Sequence, residues 1–143
     1  MSETQRPRRI GRSIGAVVAG ALTGIILSIG TDAVLRAAGI FPELSQAMSN
    51  ALFLLATTYR TAYGVAGSYI TARLAPDRPM GHALVLGAIG LAVSIVGAVA
   101  TWNRLPSLGP HWYPLALIVL AMPPAWVGGK LRTMQLRTRT EAR

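Results

Sequence analysis

Arg60 stands between two tyrosines in the run Thr57, Thr58, Tyr59, Arg60, Thr61, Ala62, Tyr63, and no other charge lies between Ser49 and Ala72. A guanidinium held in apolar surroundings costs about 2.5 to 3.5 kcal/mol on insertion scales, so it faces a counter-charge or a wet cavity. Asp32 is the sole acidic residue within or at the edge of an apolar run; Glu3, Glu43, Asp77 and Glu141 belong to the polar stretches. The sequence therefore predicts an Asp32–Arg60 ion pair, with Arg36 and the hydroxyls of Thr57, Tyr59, Thr61 and Tyr63 as neighbours. Two kinds of chemistry suit such a cluster. It can be a polar clamp that fixes the register of two helices, or a solute or ion site in which Arg60 binds an anion and Asp32 gates it or exchanges protons.

Other chemistry has less support. His82 and His111 fall at opposite ends of the expected helices and cannot share a metal. No serine or acidic dyad is spaced for nucleophilic or acid-base work. The chain has no cysteine, hence no thiolate nucleophile or disulfide. No catalytic, cofactor-binding or metal-binding residue is assigned, and an enzyme is not expected.

The elements that must position the pair are read from hydropathy. The chain has 143 residues, 52% of them apolar, too many for an ordinary soluble domain of this size. They are gathered into long runs. Ser13 to Thr31 and Ala83 to Asn103 carry no charge, and Trp112 to Gly129 runs uncharged up to Lys130. At 1.5 Å per residue each comes close to or reaches the roughly 30 Å of a hydrocarbon core. The expected fold is an all-α integral membrane protein with four transmembrane helices, at about 13–36, 47–74, 80–103 and 112–131. A basic tail precedes them at 1–12 and another follows at 132–143. The first run is too long for a signal peptide and lacks a small-residue cleavage site, so it reads as an uncleaved anchor.

The net charge of +9 could suggest nucleic acid, but its distribution argues for topology. Arg6, Arg8, Arg9, Arg12, Arg73, Arg78, Lys130, Arg132, Arg137, Arg139 and Arg143 fall on one side of a four-span arrangement, with Arg36 and Arg104 on the other. Basic residues in short loops stay in the cytoplasm, which places both termini there. The expected partners are the lipid bilayer and either further copies of the chain or another membrane protein, with no nucleic acid.

Small residues mark the helix faces. Gly20, Gly24 and Ser28 recur every four residues in the first helix, on a face continued by Asp32 and Arg36. Gly87, Gly90, Ser94 and Gly97 form a strip on the third. Such strips let helices approach closely in lipid, within one bundle or between copies. Pro123 and Pro124 cannot donate backbone hydrogen bonds and predict a kink in the fourth helix. Ile40 to Met48 can begin a helix at Pro42. Tyr69 to Leu74 and Trp126 to Leu131 share the order aromatic, β-branched, two small, base, leucine. That echo fits two tandem helical hairpins, and it equally fits any pair of helices ending at one membrane face.

The segment Arg73 to Asn103, with Gly30 to Leu35 and Gly109 to Leu117, resembles small bacterial four-span membrane proteins of uncharacterised activity. The resemblance implies a bacterial inner membrane and supplies no site residues. The first helix has no membrane-embedded glutamate of the kind that small multidrug transporters carry. The function expected from the sequence is a non-enzymatic helix-packing or interaction subunit. A small-solute or ion transporter using Arg60 and Asp32 is the alternative.

Overall fold

The protein is described from a computed structural model that covers residues 5–44, 46–105 and 108–142. Its elements are α1 (Gln5–Ala37), α2 (Asn50–Leu74), α3 (Pro79–Thr101), a 3-10 turn at Trp102–Arg104, α4 (Trp112–Val119) and α5 (Met122–Glu141). No strand occurs among the described residues. α4 and α5 form one interrupted rod, so the architecture is four rods. Three of them, 9–37, 79–104 and 112–141, are long and apolar enough to cross a membrane. Their outer faces agree: Val93, Val96 and Val99 on α3 are 66 to 72% exposed, which only an apolar solvent tolerates for so long a run.

α2 is the rod without such an apolar stretch and the most surrounded, touching α1, α3, α4 and α5. Its buried residues, Phe53, Ala56, Thr57, Gly67, Ser68, Thr71 and Ala72, follow the three-and-four spacing of one helical stripe. Arg60 and Gly64 lie on that stripe. Thr57, Ser68 and Thr71, which lower the hydropathy of α2, thus face other helices.

The helices run further than hydropathy predicts, because α1 begins inside the basic N-terminal segment and α5 continues through the basic C-terminal one. α1 ends at Gly39, whose φ of 73° suits glycine. No helix begins at Pro42. The chain turns there instead, Phe41 donating back to the Leu35 carbonyl while its ring is buried. α2 then starts at Asn50, with the Ser49 hydroxyl accepting from the Leu52 amide at 3.4 Å.

The first hairpin closes through glycine. A β-carbon on Gly67 would stand 2.6 Å from the Gly20 carbonyl oxygen, whereas Gly24 meets α2 only at van der Waals distance, 3.7 Å from the Tyr63 carbonyl. In the second hairpin a β-carbon on Gly87 would stand 2.5 Å from that of Ala125. The two hairpins are not equivalent, since α2 packs on α3 while α1 makes no comparable contact with α4 or α5. Gly90 and Gly97 face open space, with nothing within 4 Å of a β-carbon.

Gly67→Val should therefore lower stability in detergent by about 1–3 kcal/mol, since neither backbone can yield. Thr71, fully buried against the same contact with an unpartnered hydroxyl, should tolerate Val with no loss. Thermal unfolding of the two variants decides this; equal losses would mean that the crossing is not held by the glycines.

Candidate functional site

The site lies at the end of the bundle opposite the chain termini, where α1, α2 and α4 meet. The antiparallel contact of Gly20 with Gly67 puts Asp32 opposite the turn around Leu55, about one and a half turns beyond Arg60. The guanidinium stem closes that gap. Arg60 Nη2 stands 2.7 Å from Asp32 Oδ2, with the arginine side chain 33% exposed and the aspartate 19%. The adjacent Tyr59 donates its hydroxyl to the other carboxylate oxygen, Oδ1. Arg60 Nη1 in turn donates to the Tyr113 hydroxyl on α4. One cation thus binds a carboxylate on one side and a phenol on the other, joining three helices.

Tyr113 is held from behind. Its ring packs on Phe53 at 4.9 Å between centroids, and Phe53 lies two turns before Arg60 on the same stripe of α2. Gly109 leaves room for that phenyl ring, since its β-carbon would come within 2.5 Å of the Phe53 ring at a φ of 144°. The neighbouring Trp112 donates its indole N–H to Asn50 Oδ1 at 3.2 Å. The start of α4 is therefore fixed to the start of α2 by aromatic packing and one hydrogen bond, which sets where the Tyr113 hydroxyl can reach.

The other expected neighbours go elsewhere. Thr57 and Thr61 donate to the carbonyls of Phe53 and Thr57 on their own helix, at 2.8 and 2.7 Å, the usual outlet for a helical threonine. Tyr63 shares a hydrogen bond of 2.8 Å with Thr31, adding a second α1–α2 link one turn from the pair. Arg36 is exposed in the last turn of α1, where a cation complements the helix dipole. Tyr113 is the partner that sequence reasoning missed. Only the placement of the start of α4 against α2 brings it to Arg60.

Next to the pair a cleft of about 260 Å³ opens between α1, α2, α3 and the α4–α5 junction. Gly24, Ser28, Gly64 and Gly87 line it, together with Arg60 and Pro124. The helix is interrupted at this junction, over Leu120 and Ala121. α4 stops at Val119, and Pro123 and Pro124 occupy the first turn of α5, where a missing N–H costs nothing. The Arg60 Nε atom is buried with no hydrogen-bond partner. Of the predicted packing positions, Gly20, Gly24, Ser28 and Gly87 face this interior. Ser94 and Gly97 instead border a shallow groove running towards Tyr113.

Comparison with protein families, curated proteins and solved structures found no match for this chain.

Removing the Tyr113 hydroxyl isolates its share of the clamp. Tyr113→Phe keeps the packing on Phe53 and should cost about 1 kcal/mol, the scale of an interhelical hydrogen bond in a membrane protein. A thermal midpoint equal to that of the wild type would show that the phenol adds nothing to the ion pair.

Proposed function

We propose that the chain is a four-span protein of the bacterial cytoplasmic membrane, both termini in the cytoplasm, acting as a non-enzymatic helix-packing or interaction subunit. The charge asymmetry of the loops and the central, enclosed position of α2 support the topology. The observation that carries the functional reading is that both terminal nitrogens of Arg60 are engaged by Asp32 and Tyr113 from two other helices. The intramembrane charge is spent within the fold. The unpacked Gly90 and Gly97 strip on α3 offers a surface for a second copy or another membrane protein.

A double-mutant cycle tests the clamp. Asp32→Asn and Arg60→Gln should each lower stability in bicelles, and the double variant should be milder than their sum by about 1–3 kcal/mol. Neutral or stabilising single changes would mean that the charges are retained at a cost to the fold, against the clamp. For the surface, Gly90→Leu with Gly97→Leu should abolish self-association in sedimentation while leaving the thermal midpoint unchanged. A wild type that sediments as a monomer in several detergents would remove self-association from the proposal.

A second reading, a small-solute or ion transporter using the same pair, draws on the adjoining cleft and the unpartnered Arg60 Nε. A solute that raises the thermal midpoint of the wild type but not of Arg60→Gln would favour it.

A further inference from the structure

At the opposite end of the bundle, α2 and α5 part company. They are forced together at Gly128, where a β-carbon would stand 2.6 Å from the Val65 carbonyl oxygen. Beyond it α2 stops at Leu74 while α5 runs on to Glu141. The divergence leaves a groove of about 540 Å³ lined by Tyr69, Arg73, Arg132, Gln135, Thr138 and Arg139. Arg132 and Arg139 lie two turns apart on one face of α5, with Arg73 across from them on the last turn of α2. Tyr69 donates to Gln135 Oε1 at 2.9 Å and ties the two walls together.

The charge of this groove is unbalanced. No aspartate or glutamate lines it, and none of its three arginines has a carboxylate within salt-bridge distance among the described residues. Two residues before Arg132 on α5, Lys130 folds its ammonium over the Trp126 ring, 4.3 Å from the centroid, the arrangement of a membrane-interface anchor. Three guanidinium groups line the groove from two helices, and the Gln135 amide N–H groups lie between them, donors that match the oxygens of a phosphate ester. The Tyr69 and Thr138 hydroxyls are committed to Gln135 Oε1 and the Met134 carbonyl.

We propose that this groove binds the phosphate of an anionic phospholipid from the cytoplasmic leaflet, seated between α2 and α5. The inference rests on the topology proposed above, which puts this end of the bundle in the cytoplasmic headgroup layer. The groove differs from a diffuse basic surface in that it is walled by two helices and closed across by the Tyr69–Gln135 hydrogen bond. Arg9, Arg12 and Arg137 supply similar charge at the same end of the bundle but do not line it.

Native mass spectrometry of the full chain in neutral detergent, titrated with phosphatidylglycerol or phosphatidylcholine, tests the site. Replacing Arg73, Arg132 and Arg139 together by Gln should weaken phosphatidylglycerol retention about tenfold or more. Replacing Arg9, Arg12 and Arg137 by Gln, an equal loss of charge, should change it less than about twofold. Gln135→Glu, which sets a carboxylate in the groove without deleting an arginine, should weaken retention like the first triple. Equal losses in both triples, or no preference for phosphatidylglycerol over phosphatidylcholine, would overturn the site. Displacement of the lipid by millimolar inorganic phosphate would overturn the lipid as its source. Labelling of a Thr140→Cys variant with an impermeant maleimide keeps the two readings apart. Reaction only in broken spheroplasts supports the topology, and reaction in intact ones overturns it whatever the lipid result.

Discussion

A charge placed among apolar helices has to be neutralised where it stands, and much of this structure is arranged around that requirement at Arg60. Its guanidinium fixes where Asp32 must come on α1 and where Tyr113 must come on α4. Those two demands set the register of three helices at one end of the bundle. Towards the middle of the bundle the Gly20–Gly67 contact sets the register of α1 and α2 a second time. Sliding α1 by a single turn, about 5.4 Å, would separate the ion pair and drive side chains into the glycine contact at once. Dispersion packing alone discriminates poorly between such registers when the flanking residues are all valine, isoleucine and leucine.

The same logic explains why the helix without a membrane-length apolar stretch is the central one. Lipid offers nothing to the hydroxyls of α2, so those near Arg60 are satisfied by their own backbone or by another helix. Thr57 and Thr61 take the first course, and Tyr59 and Tyr63 take the second, reaching Asp32 and Thr31 on α1. With α2 enclosed, α1 and α3 can be apolar almost all round. That is how their outer faces read, from Ile25, Ile26 and Ile29 to Val93, Val96 and Val99.

The ion pair was legible in the sequence because the arithmetic was short: one buried cation and one acid near enough to reach it. The helices were legible from run length, and the small residues at Gly20 and Gly87 from their spacing. The Tyr113 contact was not, because it depends on how the start of α4 docks on α2, through Phe53 holding the ring and Trp112 bonding Asn50. Spacing also could not tell a packed glycine from an open one. Gly87 and Gly90 sit on one strip of α3, yet only Gly87 meets α5, since a strip of small residues says how close a helix can come and not whether one is there. Threonines beside an arginine looked like ligands, and the nearer carbonyl one turn back won them. Helix ends were misjudged where charge was taken as a boundary, because arginine is a good helix former once the backbone has left the apolar layer.

The break between α4 and α5 lies between the site towards one end of the bundle and the groove towards the other. Tyr113 has to present its hydroxyl to Arg60, and Gly128 has to lie against the backbone of α2 at Val65 and Tyr69. Both contacts are to one side of α2, but they belong to segments on either side of Leu120 and Ala121. At 100° per residue a continuous helix would already set residues 113 and 128 within about 60° of each other, so the interruption at Leu120 and Ala121 has only to adjust the two segments to their contacts. Pro123 and Pro124 make the interruption tolerable, since they begin a helix without needing donors for their own N–H positions. Pro124 packs against Gly64, where a β-carbon would stand 3.2 Å from its ring, so the break is seated on α2 between the two contacts it separates. The cleft beside Arg60 is bounded by this same junction. It is the space left when α4 is held by Tyr113 and α5 by Gly128, and its size depends on both.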